Sequence, residues 1–194
     1  MPKLFLLLIA VCDFWGAGAQ STSRWEKLQG SVGLSLLNGQ SGVSGRLGLE
    51  AGYELPSRFS AHLGVALDYY YLRTVPVFFE IQRAVSRQPQ HFFAYAGGGM
   101  NLAWPTQEER NMGGGGWGIA TPVAHRSGLF TQIGVGRTMG KQSGRGFVLR
   151  LGHSFKSFSE TYAERIWNGS NSDEASRKNL YQLGMLECSL RYML

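Results

Sequence analysis

Residues 58–72 read RFSAHLGVALDYYYL, and they sort onto two unlike faces. Phe59, Ala61, Leu63, Val65, Leu67, Tyr69 and Tyr71 share one side; Ser60, His62, Gly64, Ala66, Asp68 and Tyr70 share the other. Successive side chains of an extended chain point to opposite faces, so this period of two predicts a strand with different surroundings on its two sides. The pattern recurs in residues 43–55, VSGRLGLEAGYEL, where Val43, Leu47, Leu49, Ala51 and Tyr53 oppose Ser44, Arg46, Gly48, Glu50 and Glu54. In residues 74–85, Val75, Val77, Phe79 and Ile81 oppose Thr74, Glu80 and Gln82; in residues 146–158, Phe147, Leu149, Leu151 and Phe155 oppose Arg150, Gly152, Ser154 and Lys156.

Four further stretches follow the pattern less strictly. Residues 28–37 put Val32, Leu34 and Leu36 on one side, residues 127–140 put Leu129, Ile133 and Val135 on one side, and residues 180–194 alternate best near their end. Residues 91–104 are apolar on both faces and take no orientation from the pattern. Together these predict an all-β fold: a closed, antiparallel, up-and-down transmembrane β-barrel of about eight strands. The 27 glycines and 12% aromatic content suit strands that bend and approach closely.

The polar faces decide between a soluble sandwich and a membrane barrel. They carry Arg46, Glu50, Asp68, Glu80, Arg150, Lys156, Glu187 and Arg191, too many charges for a dry core. An inside-out barrel turns such faces to its lumen and apolar faces to lipid. Ion pairs are therefore expected in the lumen among Arg46, Glu50, Glu80, Arg150, Glu187 and Arg191, with Arg150 paired to Glu187 on the neighbouring strand. The main charges on the apolar faces are Arg83 and Arg137, both near strand ends where a long side chain can reach headgroups.

The connections agree in part. With the N-terminus inside, the inner turns at 55–58, 86–90 and 141–145 are short, and the outer connections 105–126 and 159–179 are long, whereas those near 38–42 and 72–73 are not. Short inner turns and longer outer loops are the barrel habit. Tyr69, Tyr71 and Trp104 would mark the outer interface, Tyr53 and Tyr192 the inner one. Long loops usually carry function. Trp104, Trp117, Tyr162 and Trp167 are accordingly the candidate external-loop binding residues.

The N-terminal segment is a secretory signal by composition. Lys3 precedes an apolar run from Leu4 to Val11, and Ala17-Gly18-Ala19 offers a small-residue exit, so residues 1–19 read as signal peptide and 20–194 as one barrel domain. Cys12 raises a lipoprotein signal as the rival, with Val11 where a small residue is needed. The net charge of +6 is scattered, without the basic stripe that nucleic-acid binding requires. Cys188 alone follows the signal, and His62, His91, His125 and His153 lack metal-ligand spacing. Neither metal nor cofactor is expected.

The C-terminus carries a resemblance. Leu186, Cys188, Leu190, Tyr192 and Leu194 alternate to the last residue, and Leu190, Tyr192 and Leu194 resemble the terminal insertion signal of outer-membrane barrels. That signal usually ends in an aromatic residue, where this chain has Leu194. The run TVPVFFEIQRAV, a turn, then HFFAYAGGGMNLAW, with the later GLFTQIGVGRTMG and FVLRLGHSF, is similar to the small outer-membrane β-barrel domains common in Bacteroidota, of OmpA/OmpX-like architecture. The resemblance covers most of residues 28–194 through loose patterns. It implies an outer-membrane location, lipid and the barrel-assembly machinery as partners, and a monomer.

Catalytic constellations are thin. His153-Ser154 resembles the His and Ser of lipid A deacylases, but neighbours in a strand face opposite ways. His125 and Ser127 have the better spacing, with Glu108 or Glu109 able to orient the imidazole. Gly113 to Gly116 lacks the Lys-Ser/Thr of a phosphate loop and reads as a loop tip, and Asn168-Gly169-Ser170 reads as a turn. The expected function is non-enzymatic: structural, or binding an unidentified surface ligand. A lipid-modifying hydrolase is the first alternative and a small pore the second.

Overall fold

Leu, Val and Phe supply most of the apolar face of the alternating stretches, and such residues fit a pleated surface that is apolar on one side. The computed structural model describes residues 28–55, 58–85, 92–106, 121–142, 145–168 and 171–194; residues 1–27, with the expected signal peptide, lie outside them. The strands are β1 (Leu28–Gly39), β2 (Gly42–Glu54), β3 (Phe59–Asp68), β4 (Thr74–Ala84), β5 (Phe92–Ala103), β6 (Thr121–Arg126), β7 (Gly128–Gln142), β8 (Arg145–Asn168) and β9 (Asn171–Met193). Every pairing is antiparallel. The wall runs β1-β2-β3-β4-β5-β7-β8-β9, and β9 pairs with both β8 and β1, so the sheet closes on eight strands. Closure leaves the wall without an edge, as a barrel in lipid requires.

Three elements depart from the sequence reading. The connection 159–179 is no loop: β8 and β9 continue as a paired hairpin to Asn168 and Asn171. Tyr162 and Trp167 therefore sit on a strand. Beyond lipid neither face must be apolar, so the alternation that betrays the other strands is lost there. Within 105–126, β6 adds a short strand to the stem of this hairpin, and among the described residues Thr121–Arg126 pair only with β8. The stretch 58–72 stops as a strand at Asp68. There the Asp68 carboxylate accepts the Tyr70 amide at 2.7 Å, and Tyr71 takes a positive φ of 63°. Pro76 in β4 has no N–H to give, and the β3–β4 ladder skips from Val65↔Val77 to Asp68↔Thr74.

The alternation runs as the four clear stretches predict. Leu34, Leu36, Leu47, Leu63, Val65, Phe79, Ile133, Leu151 and Leu186 stand exposed on the outer surface, while the polar faces point into the lumen. The unoriented stretch resolves as well: Phe93, Tyr95 and Asn101 point inward, Phe92, Ala94 and Met100 outward. Its inward aromatics need glycine opposite them. A Cβ at Gly152 would meet the Tyr95 hydroxyl at 2.3 Å and the Ile133 carbonyl at 2.4 Å, so only a bare backbone lets β7, β8 and the Tyr95 ring come this close.

Arginines mark both rims of the apolar band. At the end that carries the termini, Arg83 lies over Phe59 (5.4 Å) and Arg137 over Phe92 (5.2 Å), each pair directly opposed in register. At the other end, Arg73 lies over Trp104 at 4.5 Å and donates from Nε to its carbonyl at 2.9 Å. Thr74 to Gln82 lie between Arg73 and Arg83, about the 9–11 residues with which a tilted strand spans the hydrocarbon layer.

Candidate functional site: the lumen network and the rim above it

Two ionic clusters block the bore. In the one nearer the hairpin end, Arg46 on β2 meets Asp68 at 2.8 Å and Glu187 at 2.6 Å, and Lys156 on β8 meets Asp68 at 3.1 Å. Lys156 Nζ also donates to the Leu72 carbonyl (3.2 Å) and Thr74 Oγ1 (3.3 Å). In the cluster nearer the termini, Arg150 on β8 crosses the bore to Glu80 on β4 and lies 3.4 Å from Glu50 on β2, while Arg191 on β9 pairs with Glu50. Gln132 and Gln82 donate to Glu80 at 2.6 and 2.9 Å.

Four cations thus meet four carboxylates, all almost wholly shielded from solvent. An unpaired charge in such a place is costly, which is why both signs are present in equal number. Two rings add faces to the cations: Arg46 lies over Phe130 at 5.0 Å and Arg150 over Tyr95 at 3.6 Å.

The expected Arg150–Glu187 pair is not made. In the β8–β9 register Arg150 faces Ser189, and Glu187 faces Gly152. The two side chains are offset along the bore, and each reaches further across it, to Glu80 and Glu50 or to Arg46. Strand adjacency alone does not set the pairing: Arg46 meets its register neighbour Asp68 on β3, whereas Arg150 reaches across the narrow bore to Glu80.

The hairpin end is closed by side chains. Leu37, Tyr70 and Met185 form a buried cluster, Phe130 and Phe158 are fully buried, and the Tyr70 hydroxyl accepts the Ser41 amide at 2.7 Å. Above this lid the β8–β9 stem carries an aromatic cluster. Phe158 stacks on Tyr181 at 5.0 Å, Tyr71 lies 5.3 Å from Tyr181, and the Tyr162 hydroxyl reaches Glu160 at 2.5 Å and the Tyr181 hydroxyl at 3.1 Å. Burial among these rings, then hydrogen bonding to a neighbouring tyrosine, pushes the phenols of Tyr71 and Tyr181 up to about 12.

The remaining candidates scatter. Trp104 sits exposed under Arg73 at the rim. Tyr162 belongs to the aromatic cluster. Trp117 lies outside the described residues, as does the side chain of Trp167, whose backbone pairs with Ser172. Leu190 and Leu194 are exposed on the outer surface, and Tyr192 packs against Phe147 at 5.3 Å.

His153 is exposed on the outside and Ser154 is buried in the lumen, so they do not meet. His125 Nε2 lies 3.3 Å from Glu160 Oε1, off hydrogen-bond geometry. Ser127 Oγ accepts the Ala103 amide at 3.4 Å, and among the described residues no hydrogen bond joins it to His125. Glu108 and Glu109 lie outside the described residues. Glu160 as the carboxylate beside His125 escaped the sequence reading. Continuing the period of two from Lys156 through Phe158 places it on the same face.

These features define a small barrel of the outer-membrane type. The chain is similar to the outer membrane protein OprG from Pseudomonas aeruginosa, with a TM-score of 0.51 and 10% identity over 87% of this chain and 96% of that one. Neisserial surface protein A aligns at a TM-score of 0.46 and 9% identity over 84% and 94% of the two chains. AlkL, solved in DMPC bilayers, aligns at 0.46 and 11% over 91% and 94%. At such identities the likeness is one of fold. No protein-family model and no curated protein matches the sequence.

Proposed function

We propose that this chain is a secreted, monomeric, integral outer-membrane protein without enzymatic activity, whose external hairpin and rim bind a surface partner. One observation carries the membrane reading: the outside of the wall is a belt of exposed Leu, Val, Ile and Phe, while the charges lie within. An apolar surface of this extent is ruinous in water and favourable in lipid. The termini and short turns would face the periplasm, and the β8–β9 hairpin the exterior. Leu190, Tyr192 and Leu194 would present the terminal strand to the barrel-assembly machinery.

The ionic clusters that block the bore support a structural plug over a pore, since an eight-stranded barrel is just wide enough for its own side chains. Among the described residues no serine is engaged by His125, which leaves the hydrolase reading without a nucleophile there. Recognition is assigned to Trp104, Tyr162 and Trp167, and to Trp117 in the connection 107–120, because aromatics cover area at low entropic cost. The test is membrane fractionation with heat-modifiable gel migration, followed by separate deletion of residues 107–120 and 163–174. Insertion should persist and surface binding should be lost. A soluble periplasmic protein ends the membrane reading; deleted forms that bind as before end the assignment to hairpin and loop.

A further inference from the structure

The bore is not filled along its whole length. On the termini side of the Glu50–Arg150–Arg191 cluster it widens into a cavity of about 390 Å³, at the low end of the ~300–1,000 Å³ of small-molecule sites. Residues from the strand ends, such as Gln29, Leu55 and Phe59, form its mouth. The ionic cluster forms its floor, so the cavity is blind toward the hairpin end.

The walls are of two kinds. Phe93, Val148 and Met193 make one side apolar, as members of a single buried cluster. The floor presents Arg150 and Arg191, 1% and 6% exposed, with Glu50 against both, and Glu54, Arg58 and His62 also line the cavity. The terminal nitrogens of Arg150 and Arg191 are engaged by Glu80 and Glu50. The Nε–H of each, however, has no hydrogen-bond partner among the described residues. A buried guanidinium donor left unmade is expensive, and it is best met by an anionic oxygen acceptor. An acceptor alone would be served by water; the adjoining apolar wall also offers a place for a hydrocarbon body.

We propose that this cavity is a binding site for a small carboxylate with an apolar body. The carboxylate accepts from Arg191 and Arg150 Nε–H, and the body packs on Phe93, Val148 and Met193. The inference goes beyond the surface-binding function and does not depend on it, because the cavity lies at the opposite end of the bore from the hairpin. It predicts selectivity for the combination of charge and apolar area, a combination that neither sulfate nor a neutral aromatic alcohol provides.

The test uses the membrane-extracted protein in lipid nanodiscs, with NMR signals of the arginine Nε–H groups and of the Val148 and Met193 methyls. Phenylacetate, phenylacetamide, 2-phenylethanol and sulfate are titrated in turn. Phenylacetate should shift both sets of signals saturably and bind about tenfold or more tightly than the amide or the alcohol, as a charge-assisted hydrogen bond implies. Arg191→Lys keeps the charge beside Glu50 but has no Nε–H, and it should weaken phenylacetate severalfold with the barrel still heat-modifiable.

Equal binding of amide and acid overturns the carboxylate assignment. Equal binding of sulfate overturns the apolar one. Shifts confined to lipid-facing residues mean partition into the bilayer, and no saturable shift means a water-filled vestibule; either overturns the site. Should Arg191→Lys fail to fold, Ser31→Trp at the cavity wall replaces it. Phenylacetate binding that survives the indole there also overturns the site.

Discussion

Arg46 on β2 reaches past β1 to Glu187 on β9, 2.6 Å away, and holds Asp68 on β3 with the same guanidinium. Three strands around the point of closure, β9, β2 and β3, are thereby tied by one side chain that spans β1. Removing one partner of a buried pair costs about 3–5 kcal/mol, because the other charge is left behind. Arg46→Met strands both Asp68 and Glu187, although Lys156 still meets Asp68. Glu187→Gln leaves Arg46 with Asp68. Urea unfolding in lipid vesicles should therefore show Arg46→Met as the more damaging substitution. If Glu187→Gln costs as much or more, the shared guanidinium is not the tie.

Lipid depth should set the cost of an outward charge. Leu63 stands exposed in the middle of β3, and Val85 stands exposed just beyond β4 at the level of the Arg83–Phe59 pair. Arginine on the lipid face costs about 2–4 kcal/mol at the midplane and about 0–1 near the interface. Leu63→Arg should lower the unfolding free energy by the first amount and Val85→Arg by the second. Equal losses at the two sites would place the apolar band elsewhere.

Gly152 tests the closeness of the wall to the Tyr95 ring. A methyl there meets the Ile133 carbonyl at 2.4 Å, and a carbonyl oxygen of a paired strand cannot swing aside as a side chain can. Overpacking of this kind costs about 1–3 kcal/mol. Gly152→Ala should be destabilising by that amount in the same urea assay. If Tyr95 is what must yield, Tyr95→Phe should recover part of the loss in the double variant, and the Ile133 carbonyl should account for the rest.

How far the sequence speaks depends on where lipid is. In the band, one face must be apolar and the other polar, so β2, β3, β4 and the barrel part of β8 are legible residue by residue. Phe93 and Tyr95 blur β5, because the bore accepts aromatics wherever glycines such as Gly152 make room. Above the band nothing enforces alternation, and β6 and the distal hairpin go unread. The charged lumen is legible as a set, since eight charges on polar faces need partners. Who pairs with whom is not, because Arg150 chooses Glu80 across the bore over Glu187 beside it.

The aromatic cluster at the hairpin stem should show itself in alkaline titration. An ordinary tyrosine ionises near 10; Tyr71 and Tyr181 are held up to about 12, first by burial and then by hydrogen bonding to neighbouring tyrosines. The fold favours the neutral phenols, so the stability they contribute is intact below about 10 and is lost as the pH rises through about 12. Ultraviolet difference absorbance of tyrosinate should resolve a late phase, and Tyr181→Phe should diminish it. A single phase near the ordinary value would mean that the rings are solvated.

Topology is checked by where a membrane-impermeant reagent can reach. Ser176 on the hairpin arm of β9 and Arg58 in the β2–β3 turn are both exposed, at opposite ends of the barrel. Cys188 is exposed on the outer surface within the apolar band, so Cys188→Ser gives a silent background. In intact cells a maleimide too polar to cross the membrane should label Ser176→Cys and leave Arg58→Cys untouched. After the outer membrane is permeabilised both should react. Among the described residues the β8–β9 extension shares its ladder only with itself and with β6, beyond the last β1–β9 pair, Gly39↔Met185. A cysteine at 176 should therefore leave the barrel's heat-modifiable migration unchanged, which separates a topological result from a folding failure. Labelling of Arg58→Cys alone would invert the barrel and turn the proposed carboxylate cavity to the cell exterior.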